Sequence, residues 1–134
     1  MKNNNLYDVI ILGAGASGMM CASYLNANSE LKVAIVDGNS NVCAKVKVSG
    51  GGRCNITNVD VQAKHYLGDE RYIFSALEEF SKDDLLKFLE ENGLTPVIRK
   101  NRYYFCKDSS DEIIDIFKRL SRKSKIYLNE KIVS

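Results

Sequence analysis

The sequence predicts an α/β fold, a parallel sheet whose strands alternate with helices. Three observations point there. An apolar run, Val9-Ile10-Ile11-Leu12, meets a glycine cluster, Gly13-Ala14-Gly15-Ala16-Ser17-Gly18. A helix-forming stretch from Met19 to Asn28 follows. A second apolar run, Lys32-Val33-Ala34-Ile35-Val36, then ends on an acid, Asp37.

The first 37 residues therefore read as a Rossmann-like βαβ unit, residues 6–37. Gly13 lets the chain turn out of the first strand. Gly15 has no side chain and lets a pyrophosphate approach the backbone. Gly18 brings the helix close to the strand. The first helical turn has unpaired N–H groups and partial positive charge, both suited to a phosphate. Asp37 follows Gly18 by about 20 residues, the spacing at which a carboxylate can hold a ribose hydroxyl. The alternative, a plain glycine turn, leaves Asp37 unexplained. The helix carries small residues, and Cys21 is expected to face the sheet as a core residue.

Residues 38–60 are polar and glycine-rich and read as one long loop, a feature that in a compact domain is usually functional or disordered. Residues 61–72 read as loop too. A short helix is expected over 73–80, with Phe74, Leu77 and Phe80 on one face. Ser81 caps a second helix over Asp83–Asn92, with Asp84 three residues on. That helix buries Leu85, Leu86, Phe88 and Leu89 and stops at Gly93. Val97–Arg99 and Arg102–Cys106 form a hairpin around Lys100-Asn101. Ser109 and Glu112 have capping-box spacing, and their helix runs to about Arg122 over Ile113, Ile114, Ile116, Phe117 and Leu120. The third parallel strand lies within 125–129.

Composition narrows the class. The chain has 134 residues, 45% hydrophobic and 27% charged, values typical of a soluble globular domain. A net charge of +2 gives no support to a nucleic-acid or membrane-surface partner. No apolar run approaches the ~20 residues of a spanning helix. Cys21, Cys43, Cys54 and Cys106 include no C-x-x-C pair, and His65 is the lone histidine, so no metal site is expected. With no signal-peptide pattern, the expectation is reduced thiols in a cytoplasmic protein. His65 reads as a solvated surface residue, and Tyr103, Tyr104 and Phe105 as core.

A second glycine cluster narrows the ligand from a dinucleotide in general to a flavin dinucleotide. Ser49-Gly50-Gly51-Gly52-Arg53-Cys54-Asn55 follows Asp37 where a plain NAD domain would enter its next helix. Three glycines free the backbone to lie against a flat or charged group. Arg53 offers a planar fork, Ser49 and Asn55 neutral hydrogen bonds, and Lys45 or Lys47 positive charge. A flexible glycine loop with a solvated arginine is the alternative.

Together, Gly13 to Gly18 and the string from Ser49 to Asn58, S-G-G-G-R-C-N-I-T-N, resemble the bacterial BaiN-like flavoproteins, also described as aminoacetone-oxidase-type FAD-binding enzymes. The resemblance implies a Rossmann-like FAD-binding domain with an inserted substrate-side domain. It implies that Gly13, Ala14, Gly15, Ala16, Ser17 and Gly18 hold the pyrophosphate and that Asp37, followed by Gly38, holds the adenosine ribose. Lys45 matches the lysine of a family G-R-K triplet, in which Cys43-Ala44 replaces Gly-Arg. Ser49, Gly50, Gly51, Gly52, Arg53, Cys54 and Asn55 would run beside the diphosphate and flavin. Ile132 would touch adenine through its backbone. Of a family G-R-x-F-P pattern, only Arg102 is kept, in Asn101-Arg102-Tyr103-Tyr104-Phe105.

The resemblance spans this whole chain but about the first third of a family member. Strand one is apolar on both faces, yet in a 3-2-1 order it would lie at the sheet edge. A fragment is therefore expected, with most of an ADP site and one wall of a flavin site, binding FAD weakly and not turning over alone. Self-association through strand one is the alternative. The implied activity is FAD-dependent hydride transfer, with NAD(P)H a candidate donor and a small molecule the substrate. The competing readings are a non-catalytic nucleotide-binding module and an NAD-only Rossmann domain. No catalytic acid or base can be named. Cys54 beside Arg53 has the setting of a reactive thiol but no partner nearby in sequence.

Overall fold

The computed structural model describes residues 6–133. In chain order the elements are β1 (Val9–Leu12), α1 (Ala16–Asn28), β2 (Val33–Val36), α2 (Ala44–Gly52), β3 (Asn55–Asn58), a 3-10 turn (Ala63–His65), α3 (Glu70–Glu79), α4 (Lys82–Glu91), β4 (Val97–Arg99), β5 (Tyr103–Phe105), α5 (Asp111–Leu120) and β6 (Lys125–Tyr127). They fall into two compact units. One runs up to Val48 and resumes at Ile114; the other spans Ser49–Ile113.

The first unit holds the parallel sheet, in the order β1-β2-β6. Val9 pairs with Val33 and Leu12 with Val36 across β1 and β2, while Ala34 to Val36 pair with Lys125 to Tyr127. The α/β fold, the βαβ unit and the third parallel strand are as expected. The central strand is the most buried: Val33, Ala34 and Ile35 are inaccessible. Edge strand β1 alternates, with Ile10 and Leu12 exposed.

Helix α1 turns Met19, Ala22, Ser23 and Asn26 inward, an i, i+3, i+4, i+7 stripe. Cys21 falls outside that stripe and is exposed, against the expectation of a core thiol. The two polar members are inside because they have partners. The Ser23 hydroxyl donates to the Met19 carbonyl at 2.7 Å, and Asn26 donates to Ser124 Oγ at 2.9 Å and accepts from Lys123 N–H at 3.1 Å. Ile114, Ile116 and Phe117 of α5 are buried as well, as their spacing predicted.

The second unit carries an antiparallel sheet, β3-β5-β4. The expected hairpin is present, and two consecutive positive φ angles, Lys100 at 52° and Asn101 at 51°, make its turn. The third strand, β3, was not expected. Its sequence, Asn-Ile-Thr-Asn, has a single apolar residue, and it is held as a strand by pairing with β5. The 38–60 stretch is therefore not one loop, since it also contains α2. Helix α3 begins at Glu70, capped by Asp69, whose carboxylate accepts from Arg71 N–H at 3.0 Å. Phe74 and Phe80 stay exposed. Helix α4 has the expected reciprocal cap between Ser81 and Asp84 and ends before Gly93, at φ 92°. Only Leu89 of its four apolar residues is fully buried. Ahead of α5, Glu112 accepts from Ser109 N–H at 3.0 Å, as the capping-box spacing predicted.

Candidate nucleotide-binding site

The turn between β1 and α1 is built by its glycines. Gly13 has φ +106°, and its N–H donates to the Val36 carbonyl at 2.8 Å. A Cβ on Gly18 would lie 1.9 Å from the Gly13 carbonyl oxygen, so this turn of helix touches the loop backbone directly. A Cβ on Gly15 would meet nothing within 4 Å. Gly15 is also the N-cap of α1, where no side chain caps the helix and no acid occupies the first turn. The helix end thus has no side-chain cap and no acid in its own first turn, which leaves its N–H groups to an anion.

A cavity of about 470 Å³ sits over this turn. Gly13, Ala14, Gly15, Ala16, Ser17 and Gly18 line it with Asp37, and so do Ala44 and Lys45 of α2. The structure thereby brings together Asp37, Lys45 and the glycine turn, which the sequence leaves far apart. Asp37 Oδ2 accepts from Ala14 N–H at 2.6 Å, while Oδ1 accepts from the Asn39 N–H at 2.7 Å and its side-chain amide at 2.8 Å. These hydrogen bonds, Asn39 N–H first and then Ala14 N–H, hold the carboxyl below its ordinary range. A carboxylate has about four acceptor positions, so three contacts leave room for a hydroxyl donor.

Helix α2 is tied to the same turn through Cys43, whose N–H donates to the Ala14 carbonyl at 2.7 Å. Cys43 is buried and has φ +57°, in the left-handed region that favours glycine. Gly38 and Ile132 are exposed and lie outside the lining of the cavity.

The second glycine cluster lies at the start of the other unit. Helical geometry stops at Ser49, with ψ 150°, and Gly50, Gly51 and Gly52 follow with φ of 58°, 66° and 82°. Cys54 N–H closes the turn on the Ser49 carbonyl at 3.0 Å. A Cβ on Gly50 would lie 2.7 Å from Phe105 Cε1 and 2.8 Å from Asn55 N. Arg53 and Asn55 are exposed, and Cys54 is buried. The surprise is the neighbour of Cys54. Asn55 pairs with Phe105 and Cys106 N–H donates to the Arg53 carbonyl at 3.0 Å, which brings Cys54 beside Cys106, and the Cys106 thiol donates to the Cys54 sulfur. Ser49 hydroxyl adds a second donor. These two bonds, Cys106 first, pull Cys54 down to about 7, against burial, and Arg53 has no part in it. Cys106 is pushed up by the same bond and by burial. No local pattern links positions 54 and 106; an alternating strand around Asn55 would have been the one hint.

His65 is exposed, 3.8 Å from Asp60. No group of three or more metal-ligating side chains occurs among the described residues. No helix of the described residues is long and apolar enough to cross a membrane.

The pattern of the HI0933-like protein Rossmann domain matches residues 7–133. The chain belongs to that family. It is a FAD-binding Rossmann family, in agreement with the motif resemblance drawn from the two glycine clusters. A ribosomal RNA dihydrouridine synthase of Haemophilus influenzae is 32% identical over 126 residues, which is 92% of this chain and 31% of that protein. The 3-dehydro-bile acid delta(4,6)-reductase of Clostridium scindens is 28% identical over 118 residues, 87% of this chain and 29% of that one. The chain thus spans under a third of the length of these relatives. Among solved structures, THI4 of Thermovibrio ammonificans aligns with a TM-score of 0.57 at 18% identity, over 91% of this chain and 38% of that one, a likeness of fold.

Proposed function

We propose that this chain supplies the ADP-binding part of a FAD-dependent reductase. The carrying observation is the open, uncapped N-terminus of α1 beneath a cavity that Asp37 and Lys45 also line. The donor set fits the group. Helix-end N–H groups and Lys45 suit a diphosphate, and Asp37 suits a ribose hydroxyl. Gly15 leaves room at the helix end where a side chain would intrude. Ser49, Gly50, Gly51, Gly52, Arg53, Cys54 and Asn55 would follow the cofactor toward its flavin end. Gly38 and Ile132 would contribute backbone contacts at the adenosine.

Bound FAD supplies two-electron chemistry, with NAD(P)H as the proposed donor. The relatives' names, dihydrouridine synthase and delta(4,6)-reductase, both describe ring carbon–carbon double bonds reduced beside a carbonyl. The proposed substrate class is therefore a conjugated enone or uracil-type ring, with uridine in ribosomal RNA first because that relative shares more identity. The small net positive charge belongs to this chain alone and carries no weight for the parts of the relatives beyond it.

The test uses the protein at its native length. It should purify with one flavin per chain, be bleached anaerobically by NADPH or NADH, and restore dihydrouridine to ribosomal RNA of a host lacking it. Absence of bound flavin overturns the reading. Flavin without RNA reduction, but with turnover of a steroid enone, overturns only the substrate.

A further inference from the structure

We propose that Cys54 and Cys106 form a redox-active dithiol that a hydroperoxide converts to an intramolecular disulfide. The two residues flank the Asn55–Phe105 pair on adjacent antiparallel strands, and the Cys106 N–H donates to the Arg53 carbonyl at 3.0 Å, so their backbones are fixed side by side. Their thiols are hydrogen-bonded to each other. Cys54 is 6% exposed and Cys106 fully buried, so Cys54 is the more accessible of the two to a small oxidant. Two thiols facing each other across a strand pair are within the separation a disulfide spans.

The chemistry follows from the asymmetry. Ser49 and Cys106 both donate to the Cys54 sulfur, which makes Cys54 the thiolate and Cys106 the retained thiol near neutral pH. The Cys54 thiolate attacks one oxygen of the hydroperoxide. The O–O bond breaks, a sulfenic acid forms on Cys54, and hydroxide or alkoxide departs. The Cys106 sulfur then attacks the sulfenic sulfur, forming the S–S bond and expelling hydroxide, while its own proton neutralises a departing base. In sum two thiols lose two electrons and two protons, and one peroxide becomes two molecules of water or one each of water and alcohol. The hydrogen bond to Cys54, burial and the Cys54 charge, with a smaller contribution from Glu112, keep the Cys106 thiol protonated until the attack.

The experiment uses the native-length protein carrying Cys21→Ser, which removes the exposed thiol. It is treated with a few equivalents of hydrogen peroxide, quenched with catalase, denatured with N-ethylmaleimide, and digested with trypsin without reductant. The expected product is the disulfide of peptides 54–64 and 103–107, with maleimide lost from Cys54 and Cys106 and kept on Cys43. In Cys106→Ser a sulfenic acid should accumulate on Cys54 and be captured by dimedone. Recovery of both cysteines as maleimide adducts, or of Cys54 as sulfinic acid beside an alkylated Cys106, overturns the proposal. The linked-peptide result needs no variant at the pair, so it stands even if Cys106→Ser does not fold. It also needs no flavin, so its failure is separate from failure of the reductase reading.

Discussion

Gly50→Ala and Gly51→Ala form a matched pair whose difference isolates one steric contact. Both glycines have left-handed φ, 58° and 66°, so alanine at either costs ~1–2 kcal/mol of backbone energy. Alanine also restricts the unfolded chain, which returns about 0.4–1 kcal/mol. Gly51→Ala, whose Cβ would meet nothing within 4 Å, should therefore lose about 1 kcal/mol. Gly50→Ala carries the same backbone term and a Cβ 2.7 Å from Phe105 Cε1 and 2.8 Å from Asn55 N. The Phe105 ring can tilt, but Asn55 N is backbone of β3 and cannot move without disturbing the ladder to β5. Overpacking of this kind costs about 1–3 kcal/mol, for a total near 3 kcal/mol. Urea unfolding followed by far-ultraviolet circular dichroism would measure both midpoints, with equal m-values licensing the comparison. Equal destabilisation by the two substitutions would refute the assignment of Gly50 to a steric role.

Other expectations follow from the same geometry. Gly18→Ala puts a Cβ 1.9 Å from the Gly13 carbonyl oxygen, and should cost more than about 3 kcal/mol or leave the protein insoluble. Asp37→Asn replaces one of two acceptor oxygens with a donor facing Ala14 or Asn39 N–H, and should weaken FAD binding at least tenfold by isothermal titration. Because its folded pKa is lowered, the stabilisation from Asp37 is complete above about pH 4 and lost as pH falls further, which acid titration of Asp37→Asn against the parent would detect. The Cys54–Cys106 pair gives a two-sided profile. One proton leaves the folded pair near pH 7 while unfolded thiols hold theirs to about 9, so stability rises between those values. Above about pH 9 the unfolded chain loses a second proton that folded Cys106 retains, and stability falls again. Maleimide labelling of Cys54 should show its midpoint near 7, and Ser49→Ala should move it upward.

The parts legible in the sequence are those written locally. The glycine turn, the acid at the end of β2 and the Ser81–Asp84 cap each need only a few adjacent residues, and each appears as expected. Strand β3 was hidden because Asn55, Thr57 and Asn58 are polar, and its identity depends on β5, nearly fifty residues away. Helix α2 was hidden because Lys45 and Lys47 alternate with Val46 and Val48, a pattern closer to strand period than to helix. The inward side of α1 was misjudged at Cys21 because Ser23 and Asn26 occupy that side, and their partners come from the far end of the chain. The same non-local pairing joins Cys54 to Cys106. Nothing near either cysteine announces the other.

Ala14, in the middle of the first glycine turn, has both halves of its peptide hydrogen bonding committed: its N–H to Asp37 and its carbonyl to Cys43. The turn is thereby clamped from two directions, by the end of β2 and by the start of α2, while its neighbour Gly13 is tied to Val36. Folding has already met the entropy cost of shaping this segment. A diphosphate bound as proposed would meet a preorganised cradle, and its affinity would not be reduced by the cost of ordering a loop. Under the proposed reading, selectivity for a bent pyrophosphate over a flexible anion of equal charge would be a property of the scaffold, set by the two anchors on Ala14.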